Sequence, residues 1–217
     1  MIFLFHWLVK ITGWLPYCLI LRPKISYENK KIQSHHIKGR AIVVSNHRSV
    51  WDVATAMFTF PTRTLRCAVA EIMFEKNALM SLFLRLLGSV RVDRASHDFG
   101  FLNACGRVLD RGGVVEIYPE SRLPFKHEET PLEFKPSAVY LALKTGAPII
   151  PICNNGRYFV KQRIRVHIGC PIDVRGLYRD ELSEKENVAN ITAYVRGKII
   201  EFQKQLEQQE KEDEGRR

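Results

Sequence analysis

Ser45-Asn46-His47-Arg48-Ser49-Val50-Trp51-Asp52 lies between two largely apolar runs, Ala41 to Val44 before it and Val53 to Phe60 after it. A polar octet in that setting reads as a turn joining a buried strand to a helix. A histidine and an aspartate five positions apart fall on opposite faces of a strand, and about 140° apart around a straight helix. Neither regular element lets them touch, whereas a turn does. With His47 ending the turn and Ser49 capping the helix, Asp52 enters the first helical turn and its carboxylate reaches the imidazole. That pair is a general base with its orienter. The same residues also fit a plainer arrangement, a Ser49-x-x-Asp52 capping box with Asp in place of Glu beside a surface histidine.

The surrounding chain sets the context for that choice. Its 217 residues are 46% hydrophobic, enough to bury one good core, and no repeat, low-complexity block or long linker divides them. Lys and Arg outnumber Asp and Glu by 33 to 23, a net charge of +10 that points to an anionic partner such as nucleic acid, anionic lipid or a phosphorylated metabolite. The charge is spread along the chain and accompanies no recognisable nucleic-acid-binding motif, so nucleic acid is the weakest of the three. The five cysteines, Cys18, Cys67, Cys105, Cys153 and Cys170, are odd in number, widely spaced and set among apolar residues. They read as reduced core residues of a protein facing the cytoplasm, without metal-ligand spacing.

Residues 1 to 21, MIFLFHWLVKITGWLPYCLIL, are apolar but interrupted by His6, Lys10, Gly13 and Pro16. A clean spanning helix needs about 20 mostly apolar residues without such breaks. The absence of a basic leader and of a small-residue cleavage site argues against a signal peptide. The expectation is two short helices meeting near Gly13 to Pro16 and lying in one leaflet. Trp7, Trp14 and Tyr17 would sit at the interface, with Arg22, Lys24, Lys30 and Lys31 against headgroups.

From residue 25 strand and helix signals alternate. Strands are expected at Ala41 to Ser45, Leu65 to Ala70, Ser89 to Val92, Val114 to Tyr118 and Pro148 to Cys153, with a later, partly exposed one at Ile164 to Ile168. Helices are expected at Val50 to Phe60, Ala78 to Leu87, about Asp98 to Asp110, and Ser137 to Thr145. A last helix opens with the capping box Ser183-x-x-Glu186 and runs to about Gln209, followed by a charged, frayed tail. Such alternation implies an α/β domain with a largely parallel sheet flanked by helices.

In open α/β sheets ligands bind beyond the carboxyl ends of the strands. Four polar clusters follow predicted strands: Asn46-His47 to Asp52, Asp93-Arg94, Pro119-Glu120-Ser121-Arg122, and Pro151 to Asn155. Parallel strands would bring all four to one edge. His47 held by Asp52 suits removal of a hydroxyl proton as that oxygen attacks a carbonyl, and Arg94 and Arg122 offer bidentate donors for phosphate. Taken singly, each Arg and Glu120 could equally be a surface ion-pair partner. No GxSxG elbow or cysteine nucleophile is recognisable, which favours direct attack without a covalent enzyme intermediate.

At these residues the chain resembles the glycerolipid acyltransferases typified by 1-acylglycerol-3-phosphate acyltransferase. The resemblance rests on four blocks in order: the NHxxxxD block Asn46 to Asp52, Gly88 to Arg94, Val115 to Arg122, and Gly146 to Ile152. It implies an N-terminal membrane-associated helical segment over 1–24, an acyltransferase domain over 25–210 and a charged tail over 211–217. It further implies His47 as catalytic base and Asp52 as its orienter. Asn46, Arg94, Glu120, Ser121 and Arg122 would shape the site for an acceptor phosphate, and Pro151 would mark the acyl or thioester side. The donor would be acyl-CoA or acyl-carrier protein, with no cofactor and no metal, acting at the cytoplasmic face of a membrane. The expected acceptor is 1-acylglycerol-3-phosphate, with glycerol-3-phosphate or another lysolipid as alternatives, and a non-catalytic lipid- or nucleic-acid-binding protein as the rival class. No motif specifies an oligomeric state. Ser121 stands where the family carries glycine, and since glycine permits positive φ and close approach, this departure bears on the acceptor's fit more than on catalysis.

Overall fold

The computed structural model describes residues 1–93 and 100–215. Helix α1 (Ile2–Leu21) leads into β1 (Lys24–Tyr27), and a loop then carries the chain into β2 (Ala41–Ser45), all of whose residues are buried. Next come α2 (Asp52–Thr59), β3 (Leu65–Ala70), α3 (Glu71–Glu75), α4 (Ala78–Leu86) and β4 (Val90–Val92). The second half contains α5 (Gly100–Asp110), β5 (Val114–Ile117), α6 (Ser137–Thr145), β6 (Ile149–Asn154), β7 (Arg165–Ile168) and α7 (Glu184–Gly215).

The strands form one sheet in the order β1-β7-β6-β2-β5-β3-β4. β2 runs parallel to β5 and β6, β3 to β5 and β4, and β1 to β7, while β6 and β7 pair antiparallel. The sheet is therefore largely parallel, and helices cover both faces. Ile42, Val44, Val115, Ile117 and Ile149 pack with residues of α5, α6 and α7 on one side. Ala41, Val43, Val114 and Ile150 pack with Ala56 and Phe60 on the other. Burial on both faces is why β2 reads as an unbroken apolar run instead of an alternating one.

Several elements differ from the expectation. The N-terminal segment is one continuous helix with Pro16 inside it, not two. His6, Lys10, Tyr17 and Leu21 are its buried residues, and together with Gly13 they form one stripe at helical spacing. The Lys10 ammonium donates to the carbonyls of Phe60, Pro61 and Arg63, at 2.9, 3.1 and 2.5 Å, and so satisfies the carboxyl-terminal end of α2. Tyr17 stacks on Phe58 with ring centroids 4.6 Å apart, and a Cβ at Gly13 would stand 2.8 Å from the Phe58 ring, so glycine is what lets the two helices approach. The helix continues through a proline that sequence alone reads as a break, and these contacts dock it along the domain on both sides of Pro16. Of the residues that interrupt the apolar run, His6, Lys10 and Gly13 thus face the domain, whereas Pro16 is exposed along with Leu4, Leu8, Ile11, Leu15 and Leu19.

At the other end, α7 continues to Gly215 instead of fraying near Gln209, because Asp213 pairs with Lys24 and Arg165, and Glu210 accepts from Asn155 and Arg157. The capping box is formed as read, with Ser183 N and Oγ donating to Glu186 and Glu186 N returning to Ser183 Oγ. β7 is fully buried, not partly exposed, since β1 lies on its outer side and the His167 ring meets Phe202 of α7. The start expected for α5, near Asp98, falls outside the described residues. All five cysteines are free, with Cys67, Cys105 and Cys153 buried.

Candidate active site

β2 ends at Ser45, and the chain then turns away from the sheet through Asn46 and His47. Asn46 is buried and fastens this turn to the end of the neighbouring strand β6. Its Nδ2 donates to the Asn154 carbonyl at 2.8 Å, and its Oδ1 accepts from the Asn154 N–H at 2.9 Å. The parallel pairing of β2 with β5 and β6 thereby brings three of the four polar clusters to one edge.

His47 Nδ1 and Asp52 Oδ2 are 3.0 Å apart. A carboxylate only accepts, so Nδ1 carries the proton and Nε2 is the nitrogen left to act as base. Asp52 Oδ2 also accepts the backbone N–H groups of Arg48 and Ser49, at 2.6 and 2.8 Å. The Ser49 contact is the reciprocal half of a capping box, yet α2 begins at Asp52 and Ser49 does not cap it. The cap expected of Ser49 is therefore not formed, while the one carboxylate both orders the turn and orients the imidazole.

Glu120 is buried beside this pair. Its two oxygens accept the backbone N–H groups of His47 and Leu132, at 2.7 and 2.8 Å. Burial raises its carboxyl above the ordinary glutamate range, and the two N–H donors oppose that shift. Glu120 therefore anchors the His47 backbone to the 130s loop instead of facing open solvent. The Tyr118 ring lies 4.4 Å from the imidazole, and its hydroxyl donates to Glu116, a fully buried carboxyl that burial pushes up to about 8.

The remaining predicted site residues are placed differently. Arg122 is turned towards Glu128 in a bidentate pair with both contacts at 2.6 Å, its guanidinium over the Phe125 ring, and it does not meet His47 or Asp52. Pro151 is buried within β6 opposite Val44, three residues before His47 in register, and its carbonyl accepts from Gly169. It therefore lies in the sheet and not at the edge that carries His47. Arg94 lies outside the described residues. Ser121 has φ +63, the left-handed conformation that favours glycine. Tyr118, Asn154 and Tyr158 also contact the predicted residues; Tyr118 stands within a quoted block, whereas Tyr158 sits in a loop with no periodic signal. A groove of about 460 Å³ adjoins the turn, lined among others by Arg48, Lys126, Thr130, Gly156, Arg157 and Glu210.

A sequence model of the family described as Acyltransferase matches residues 24–155. The 1-acyl-sn-glycerol-3-phosphate acyltransferase alpha of Bos taurus is 26% identical over 151 residues, which are 65% of this chain and 52% of that protein. The 1-acyl-sn-glycerol-3-phosphate acyltransferase of Borreliella burgdorferi is 25% identical over 179 residues, 75% of this chain and 66% of that protein. The chain spans about half the length of the mammalian relatives it matches. Among solved structures, the 1-acyl-sn-glycerophosphate acyltransferase PlsC of Thermotoga maritima shares the fold, with a TM-score of 0.68 over 93% of this chain and 79% of that one at 20% identity.

The conformation of Ser121 carries its own test. The left-handed region costs a non-glycine residue ~1–2 kcal/mol, while the greater freedom of glycine in the unfolded chain takes back ~0.5–1. Ser121→Gly should therefore stabilise the fold by ~0.5–1 kcal/mol. Urea unfolding would show the midpoint rising at constant slope; a lower midpoint would mean that the serine is held by more than its weak 3.4 Å contact to the Pro119 carbonyl.

Proposed function

Because this chain belongs to the acyltransferase family, we propose that it moves a fatty acyl group from acyl-CoA or acyl-carrier protein to the free hydroxyl of 1-acylglycerol-3-phosphate, giving phosphatidic acid. The observation that carries this reading is the His47–Asp52 contact at 3.0 Å on the edge where parallel strands end. Nε2 of His47 takes the hydroxyl proton as the acceptor oxygen attacks the thioester carbonyl. The carbon–sulfur bond then breaks, and the thiolate leaves with the proton returned by the imidazolium. Asp52 fixes the tautomer and balances the transient positive charge.

We assign the acceptor phosphate to Arg122, with Arg94 as its second donor. Arg122 reaches it by exchanging Glu128 for phosphate, which matches the same planar fork. The outward apolar face of α1 rests in one leaflet at the cytoplasmic face, so the lipid acceptor arrives from the plane of the membrane.

Acyl transfer measured as thiol release on vesicles containing 1-acylglycerol-3-phosphate tests the base. His47→Ala should lose ~10²–10⁴ in kcat with the fold intact, since removing the imidazole empties no core site. Activity within a few-fold of the parent would exclude this mechanism. In the same assay Glu128→Gln should free the guanidinium and lower the acceptor KM about two- to five-fold, the scale of an exposed pair. An unchanged acceptor KM would return Arg122 to a surface role. Replacing Leu4, Leu8, Ile11 and Leu15 together by Gln should weaken partitioning onto anionic vesicles by at least ~100-fold while sparing the buried stripe of α1. Undiminished co-sedimentation would place membrane attachment on the domain itself.

A further inference from the structure

Asp52 is fully buried in its side chain, so each of its oxygens needs a partner within the protein. Oδ2 has the imidazole and two backbone N–H groups, as described above. Oδ1 accepts the Tyr158 hydroxyl at 2.7 Å from 106 residues further along the chain, and the same hydroxyl lies 3.1 Å from Thr55 Oγ1 on α2. Burial and the neighbouring Asp52 charge raise the Tyr158 phenol above its ordinary range, so it stays a donor across the working pH range.

Tyr158 is itself held from several sides. Its ring packs against a cluster containing Tyr17, Leu21, Met57 and Phe58 of α1 and α2. Its loop leaves β6 through a bond from Gly156 N to Asn154 Oδ1 and rejoins the sheet where Ile164 N donates to the Leu21 carbonyl at the end of α1. Next to it, Phe159 meets Trp51, the residue before Asp52, edge to face at 4.9 Å.

A carboxylate turns about its last bond as one planar unit, so a donor on Oδ1 resists the same rotation that would carry Oδ2 away from the imidazole. We propose that Tyr158 is a positioning residue for acyl transfer: its hydroxyl fixes the rotation of Asp52 so that Oδ2 stays on His47 Nδ1. The proposal rests on the acyl-transfer reading for its kinetic consequence and on geometry alone for its structural one.

Tyr158→Phe removes only the hydroxyl and keeps the ring in its cluster. In the full-length protein, with acyl-CoA as donor and 1-acylglycerol-3-phosphate as acceptor, kcat should fall ~10-fold or more, the scale of a hydrogen bond to a buried charge. Both KM values should stay within about two-fold, since the residue touches neither substrate. A packing role would instead leave Tyr158→Phe at parental kcat and show its loss only in Tyr158→Leu, and that pattern would overturn the proposal. The proton resonance of His47 Nδ1–H supplies a readout that needs no substrate. It should shift or broaden in Tyr158→Phe, and an unchanged resonance would equally overturn the proposal. Should the parent transfer no acyl group at all, the functional reading fails while the resonance still decides the role of Tyr158.

Discussion

Asp52 is the group around which this molecule is arranged, because a buried carboxylate is tolerated only where donors are already in place. Four donors meet it: the imidazole of His47, the backbone N–H groups of Arg48 and Ser49, and the hydroxyl of Tyr158. They come from two stretches of chain more than a hundred residues apart, so the carboxylate is complete only when the β2–α2 turn and the loop after β6 have docked. Losing the Tyr158 hydroxyl would leave Oδ1 unmet where the side chain is closed to solvent, and such groups cost ~1–3 kcal/mol or more, whereas Oδ2 has three donors. The histidine gains its fixed orientation from a network that the fold needs for its own reasons.

The rest of the edge serves the same turn. Glu120 spends both oxygens on backbone N–H groups, one of them that of His47, and Asn46 spends its amide on the backbone of Asn154. Polar side chains at the strand ends thus stitch three loops together before any ligand arrives, and preorganisation of this kind is what lets a base act without rearrangement. Arg122 is the exception, since its partner Glu128 lies on the surface and can be exchanged.

The sequence was informative wherever a residue's role follows from its neighbours. The apolar run of β2, the glycine that ends α6 and the Ser183 box at α7 are local signals, and β2, β3 and α6 keep the bounds read for them. The convergence of His47, Asp52 and Glu120 was legible as well, because parallel strands place their ends on one edge. What sequence could not show depends on partners distant in the chain. Lys10 reads as a flaw in an apolar helix until the carbonyls of Phe60, Pro61 and Arg63 are seen beneath it. Tyr158 has no periodicity to mark it, and the turn of Arg122 towards Glu128 is a side-chain choice that spacing does not encode.

Helix α1 is an amphipathic helix worn inside out: its ionisable His6 and Lys10 and its Gly13 face protein, and most of its leucines face away. This divides the helix into two kinds of information. The outward positions carry only a quantity, greasiness, and Leu, Ile, Phe and Met can trade places there freely. The inward ones carry identities, since only a long cation reaches three carbonyls and only glycine clears the Phe58 ring. In a library randomised over these twenty positions and selected for folding, a hydropathy profile would stay level while its apparent blemishes, Lys10 and Gly13, were the letters that never changed.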